Sequence, residues 1–297
     1  MASSTGMPLF EVLDDSALTA PALVSALNGW VDAGSAGTTA AGYLAKGGEV
    51  IVRFDTDALV DYRARRPTLE IRDGVLSSIA WSDLTIQRVR TDRRDLLVLT
   101  GPEPDYRWQA FREAIVDVAT RLGVVESLCL GAIGAMVPHT RATPILVTGA
   151  ERASQESDMP LPAEHMQVPA SALNLIELAL AERGVRSGGI WAQVPHYIEG
   201  AYFAGALALV ERACGQLGVR LPIEDLVNLA REQRVRLDAV VADRPDAQAY
   251  LEQLEESGPV TPVPPGEDIA TEIERYLRDA TGDGRNPFGD PPEPPAP

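Results

Sequence analysis

The chain has 297 residues, 45% apolar and 23% charged, the makeup of a globular protein with room for one large domain or two smaller ones. Its formal net charge of −17 argues against binding nucleic acid or an anionic membrane through bulk electrostatics. No apolar run approaches the roughly 20 residues needed to span a bilayer.

Cys129 and Cys214 lie in apolar segments and call for no disulfide, and residues 1–8 lack a basic, signal-like start. A cytoplasmic location is the expectation. Lys46 is the single lysine, so Schiff-base or phosphate-binding lysine chemistry has one candidate.

In chain order, residues 22–29 read as a buried strand and 35–45, small and Ala-rich, as a helix packed closely on a sheet. Residues 49–54 form a second strand, and 55–67 a polar crossing loop rich in Asp and Arg. Asp73-Gly74 supplies the positive φ of a tight turn between strands at 68–72 and 75–81, with 84–89 as a third strand of the meander. Residues 96–101 are continuously apolar, as in a central parallel strand.

Helical spacing of Trp108, Phe111, Ile115, Val118 and Leu122 predicts a helix over 106–122, ended by Gly123. Strands follow at 127–130 and 145–148, then a helix from a Ser171 cap to Gly184, a strand at 189–194 and a helix at 202–217. This alternation predicts an α/β layered domain with a mostly parallel sheet over 8–221. From Pro222 the pattern becomes helical, at 223–242, 247–254 and 268–280, with a Pro-rich linker at 258–266. Residues 222–281 therefore read as a helical subdomain, and 282–297, rich in Pro, Gly and acid, as a disordered tail.

Two Pro-His turns stand out, Val137-Pro138-His139-Thr140-Arg141 and Val194-Pro195-His196-Tyr197, each just past a predicted strand. Open α/β sheets gather ligand sites at the carboxyl ends of strands, so the two turns point to a shared pocket. His139 and His196 suit acid–base work near neutral pH, and Arg141 suits two-point contact with a carboxylate or phosphate. The structural alternative has each imidazole bonding a loop carbonyl and fixing its turn. Neither has a second ligand at metal spacing, so no metal and no cofactor is expected.

Asn28-Gly29-Trp30-Val31-Asp32-Ala33-Gly34 joins the first strand to the first helix and offers free N–H groups to an anion. Alternatively Asp32 or Ser35 caps the helix while Trp30 packs over the sheet edge. The segment is neither a Walker loop nor a Gly-x-Gly-x-x-Gly fingerprint. Glu103 and Asp105 lie past another strand end, with Asp105 read as a cap for the following helix. Tyr62, Arg63, Arg65 and Arg66 line either an acidic-ligand groove or a solvated or subunit-contact loop. His165 reads as a loop residue. The candidate pocket is thus Asn28, Trp30, Asp32, His139, Arg141, His196 and Tyr197.

These motifs, together with Asp61-Tyr62-Arg63-Ala64-Arg65-Arg66-Pro67, resemble the actinobacterial branch of the proteasome assembly chaperone family over about residues 8 to 280. The resemblance implies a three-layer α/β/α sandwich of phosphorylase/hydrolase-like type with a helical C-terminal addition. It also implies self-association into a homo-oligomer, with a protein partner in complex assembly. Some relatives dock through a C-terminal hydrophobic-Tyr-x tail, whereas this sequence ends Pro294-Pro295-Ala296-Pro297. A non-catalytic scaffold or assembly factor is the leading expectation. The alternative is an enzyme acting on a small anionic or nucleoside-like ligand, and convergence of the candidate residues in an open pocket would favour it.

Overall fold

The computed structural model describes residues 8–149 and 167–257. His165 and the expectations for 258–297 lie outside the described residues. Ten strands and seven α-helices follow in chain order. They are β1 (Phe10–Val12), β2 (Ala22–Asn28), α1 (Ala36–Leu44), β3 (Glu49–Phe54), α2 (Thr56–Leu59), β4 (Thr68–Arg72), β5 (Val75–Ala80), β6 (Thr85–Arg90) and β7 (Asp95–Pro102). Then come α3 (Trp108–Arg121), β8 (Glu126–Ala135), β9 (Ile145–Gly149), α4 (Ala172–Ala181), β10 (Arg186–Pro195), α5 (Phe203–Leu217), α6 (Glu224–Ala242) and α7 (Pro245–Ser257).

Eight strands make one sheet in the order β1-β3-β6-β7-β2-β8-β10-β9. The middle four, β7, β2, β8 and β10, are mutually parallel, and antiparallel strands flank them on both sides. Side chains alternate across this sheet, because successive Cβ atoms on a strand point to opposite faces. Leu23, Leu97, Leu99, Cys129 and Trp191 join α3 and α4 on one face. Val24, Leu96, Val98, Leu130 and Ile190 join α1 and α5 on the other. Strands buried on both faces must be apolar at every position, which is why 96–101 lacks a period of two. The result is a three-layer α/β/α sandwich, each buried Leu contributing about 1.5–3 kcal/mol. In α1, a Cβ on Gly37 would sit 2.9 Å from the Leu130 carbonyl oxygen, so glycine lets this helix approach β8 closely.

Three readings are corrected. The segment 84–89 is no third strand of the hairpin: β6 joins the main sheet between β3 and β7, while β4 and β5 form a separate two-stranded sheet. The crossing loop contains the short α2, whose first turn is capped by Asp55. Asp105 does not cap α3. Its carboxylate accepts the Asp61 N–H at 2.8 Å and pairs with Arg65 at 3.5 Å. The strand β1 escaped the sequence reading, since three residues are too few to show a period. Among the described residues no strand follows β10, and no helix is long and apolar enough to cross a membrane.

Candidate functional site

β8 and β10 run side by side in parallel, so their carboxyl ends deliver the two Pro-His turns to one edge. Tyr197 stands between the imidazoles, its ring edge-on to both, with centroids 5.7 Å from His139 and 5.4 Å from His196. The Tyr197 hydroxyl oxygen accepts the His139 backbone N–H at 2.8 Å and lies 2.8 Å from His139 Nδ1. Nε2 faces the Asp238 carboxylate of α6 at 3.2 Å, an acceptor, so the tautomer protonated on Nε2 satisfies both neighbours and lets Tyr197 donate to Nδ1. Burial pushes the His139 pKa down, the Arg234 guanidinium adds to this, and Asp238 opposes it. The same burial pushes the Tyr197 hydroxyl up to about 12. Burial thus disfavours a charge on either the His139 ring or the Tyr197 hydroxyl, and both are hydrogen-bonded.

The helices α6 and α7 close over this edge through polar contacts. Arg234 donates to the His139 carbonyl at 3.0 Å and to both Asp238 oxygens at 2.8 and 2.9 Å. Glu255 accepts from Thr140 with its carboxylate and from Arg141 with its backbone carbonyl. Tyr250 meets His196 Nε2 at 3.1 Å, and His196 Nδ1 lies 3.4 Å from the Ala135 carbonyl. Arg234, Asp238, Tyr250 and Glu255 were absent from the sequence reading. They lie far along the chain, on helices whose pattern speaks only of amphipathicity.

A cavity of about 530 Å³ opens beside the first turn, between it, α5 and α6. Arg141, Arg212, Arg234 and Glu211 line it together with the apolar Ile145, Leu207 and Ala208. His139 borders it, yet the imidazole is only 1% exposed.

Asn28, Trp30 and Asp32 lie at the end of the neighbouring strand but not in this cavity. The Asn28 carbonyl accepts the Glu103 N–H at 3.0 Å and Arg65 at 3.1 Å. Trp30 is 45% exposed rather than packed on the sheet, and its N–H donates to Glu103 at 3.1 Å. Asp32 turns back on its own helix, accepting from the Thr38 N–H and hydroxyl, and burial raises its carboxyl pKa. Glu103 also accepts the Ala172 N–H at 2.7 Å, which ties this loop to the start of α4. The seven candidates thus divide. His139, His196 and Tyr197 cluster, only His139 and Arg141 of the seven line the cavity, and Asn28, Trp30 and Asp32 hold a separate loop. Among the described residues no group of three or more His, Cys, Asp or Glu is placed to hold a metal.

In fold and sequence the chain is similar to Rv2714 of Mycobacterium tuberculosis, a protein of unknown function, at 30% identity and a TM-score of 0.78. That match covers 86% of this chain and 93% of the other. It is also similar to the proteasome-assembly chaperone homologue Rv2125 of Mycobacterium tuberculosis, at 29% identity and a TM-score of 0.68, over 77% of this chain and 99% of that one. A likeness of fold extends to PbaB of Pyrococcus furiosus, an archaeal proteasome activator, at 16% identity and a TM-score of 0.60, over 78% and 97% of the two chains. No curated protein sequence matches the chain. The PAC2 family profile runs over residues 26–241, from β2 through both Pro-His turns into α6, and the chain belongs to the PAC2 family.

Proposed function

We propose that this protein is a cytoplasmic, non-catalytic, self-associating scaffold or assembly factor, working with a protein partner as complexes are put together. The names of its relatives, a proteasome-assembly chaperone homologue and a proteasome activator, support the assembly role. The β4–β5 hairpin carries the self-association. Leu69 pairs with Ile79, and a register shift after Glu70 brings Ile71 opposite Leu76, so all four share one face. The other face carries Glu70, bonded to Arg72 and Ser78, with Val75 opposite Arg72.

Leu69, Ile71, Leu76, Ile79 and Trp81 are all about half exposed or more, from 47% to 67%. A two-stranded hairpin is marginal in water without a cover, and an apolar patch of this kind marks an interaction surface. A second copy of the hairpin is a cover of matching shape that brings no charge to the apolar face. Light scattering tests the reading. The protein should show a multiple of 31.8 kDa, and the Ile71→Lys, Leu76→Lys double variant should be monomeric with an unchanged melting temperature. A wild-type monomer at micromolar concentration would refute it.

A further inference from the structure

We propose that the cavity between the His139 turn, α5 and α6 binds a carboxylate carried on a short apolar body. Its wall holds the guanidinium groups of Arg141 and Arg234 beside the carboxylate of Glu211, and Arg234 is already paired with Asp238. Arg141 donates to a backbone carbonyl, that of Glu255, and forms no ion pair among the described residues. A guanidinium has five N–H donors, so most of its capacity for two-point contact with a carboxylate is unused. Arg234 is fixed by Asp238 and the His139 carbonyl, which holds that part of the wall still.

The floor selects the rest of the ligand. α5 turns Ala206, Leu209, Val210 and Ala213 to the sheet, yet Ala204, Leu207 and Ala208 make a second apolar stripe that lines the cavity. Ile145 completes this floor. Apolar walls with a few convergent polar groups are the pattern of small-ligand sites, and about 530 Å³ lies within their usual range. Inorganic phosphate would leave the apolar floor empty, whereas an aliphatic acid satisfies both parts. The same chemistry belongs to a free small acid and to a peptide ending in an aliphatic residue. This inference does not rest on self-association, and the Ile71→Lys, Leu76→Lys chain should bind equally well.

Calorimetric titration of the full chain tests it, with hexanoate, hexanol and inorganic phosphate as probes. Hexanoate should saturate one site per chain while hexanol and phosphate bind at least about tenfold more weakly, as expected for loss of a charged hydrogen-bond pair or of the apolar contact. Arg141→Gln, which removes the charge, and Ala208→Trp, which fills the floor, should each weaken hexanoate by about tenfold or more while the chain remains folded by circular dichroism. An acetylated tripeptide ending in Leu with a free carboxylate, compared with its amide, distinguishes the sources. Tighter binding than hexanoate, lost in the amide, identifies a peptide end, and weaker binding identifies a free acid. The proposal falls if hexanoate shows no saturable binding, if hexanol or phosphate matches it, or if both variants bind as the wild type does.

Discussion

His139 is held at both ring nitrogens, by Tyr197 on one side and Asp238 on the other. A neutral imidazole suits this place, since the tautomer protonated on Nε2 lets Tyr197 donate to Nδ1 and Asp238 accept from Nε2. Burial lowers the His139 pKa below its ordinary value of 6.5. As pH falls the unfolded chain therefore takes up the proton first. The contribution to stability is whole above that value and is lost as pH falls toward the folded pKa. Melting temperatures from about pH 8 down to about pH 5.5 should fall, across the range in which histidine titrates. His139→Gln should flatten that slope while costing about 1–3 kcal/mol at neutral pH for the lost bonds. An unchanged slope in the variant would place the titrating group elsewhere.

The elements differ in what holds them. α3 buries Phe111, Ala114, Ile115, Val116, Val118 and Ala119 against the sheet, whereas α6 buries Leu226 and Ala230, and α7 buries Leu254. Among the described residues, α6 and α7 thus depend on few apolar contacts and on the polar ties to His139, Thr140, Arg141 and His196. Elements of that kind open at lower free energy than the core beneath them. Leu254→Ala removes the buried anchor of α7, and leucine truncations in cores cost about 2–5 kcal/mol. Hydrogen exchange should quicken through α7 and the second half of α6 while β2 and β8 keep their protection. Equal loss of protection in those strands would show that helices and sheet unfold as one unit.

At the scale of the whole molecule, a net charge of −17 makes two copies repel unless salt screens them. An apolar hairpin interface carries no ion pairs for salt to weaken. Raising ionic strength from about 10 mM to about 150 mM, which shortens the Debye length from about 30 to about 8 Å, should therefore strengthen self-association. Sedimentation at the two salt levels measures this, and dissociation at the higher level would point to an ionic contact instead. Within each chain, Arg88 and Asp95 form a buried pair at 2.9 Å between β6 and β7, with Asp95 also accepting the Thr19 N–H at 2.7 Å. Removing one partner of such a pair strands the other charge in the core.

Local signals in the sequence sufficed for much of the fold. The apolar runs of β2, β7, β8 and β10, the helical spacing in α3 and α4, the Ser171 cap and the Asp73-Gly74 turn each depend on neighbours a few residues away. The Pro-His turns were legible as a pair because each follows a strand, and parallel strands end on one edge. Tertiary structure alone decided the rest. It set Tyr197 between the two imidazoles and brought Asp238, Tyr250 and Glu255 across from α6 and α7. It also turned the Asp32 carboxylate onto Thr38, away from the cavity that Arg141 lines. The alternation of Leu69 and Ile71 reads the same whether their face covers a core or looks outward. A residue pattern records period and polarity along one segment, while the surface that segment meets depends on how distant segments pack.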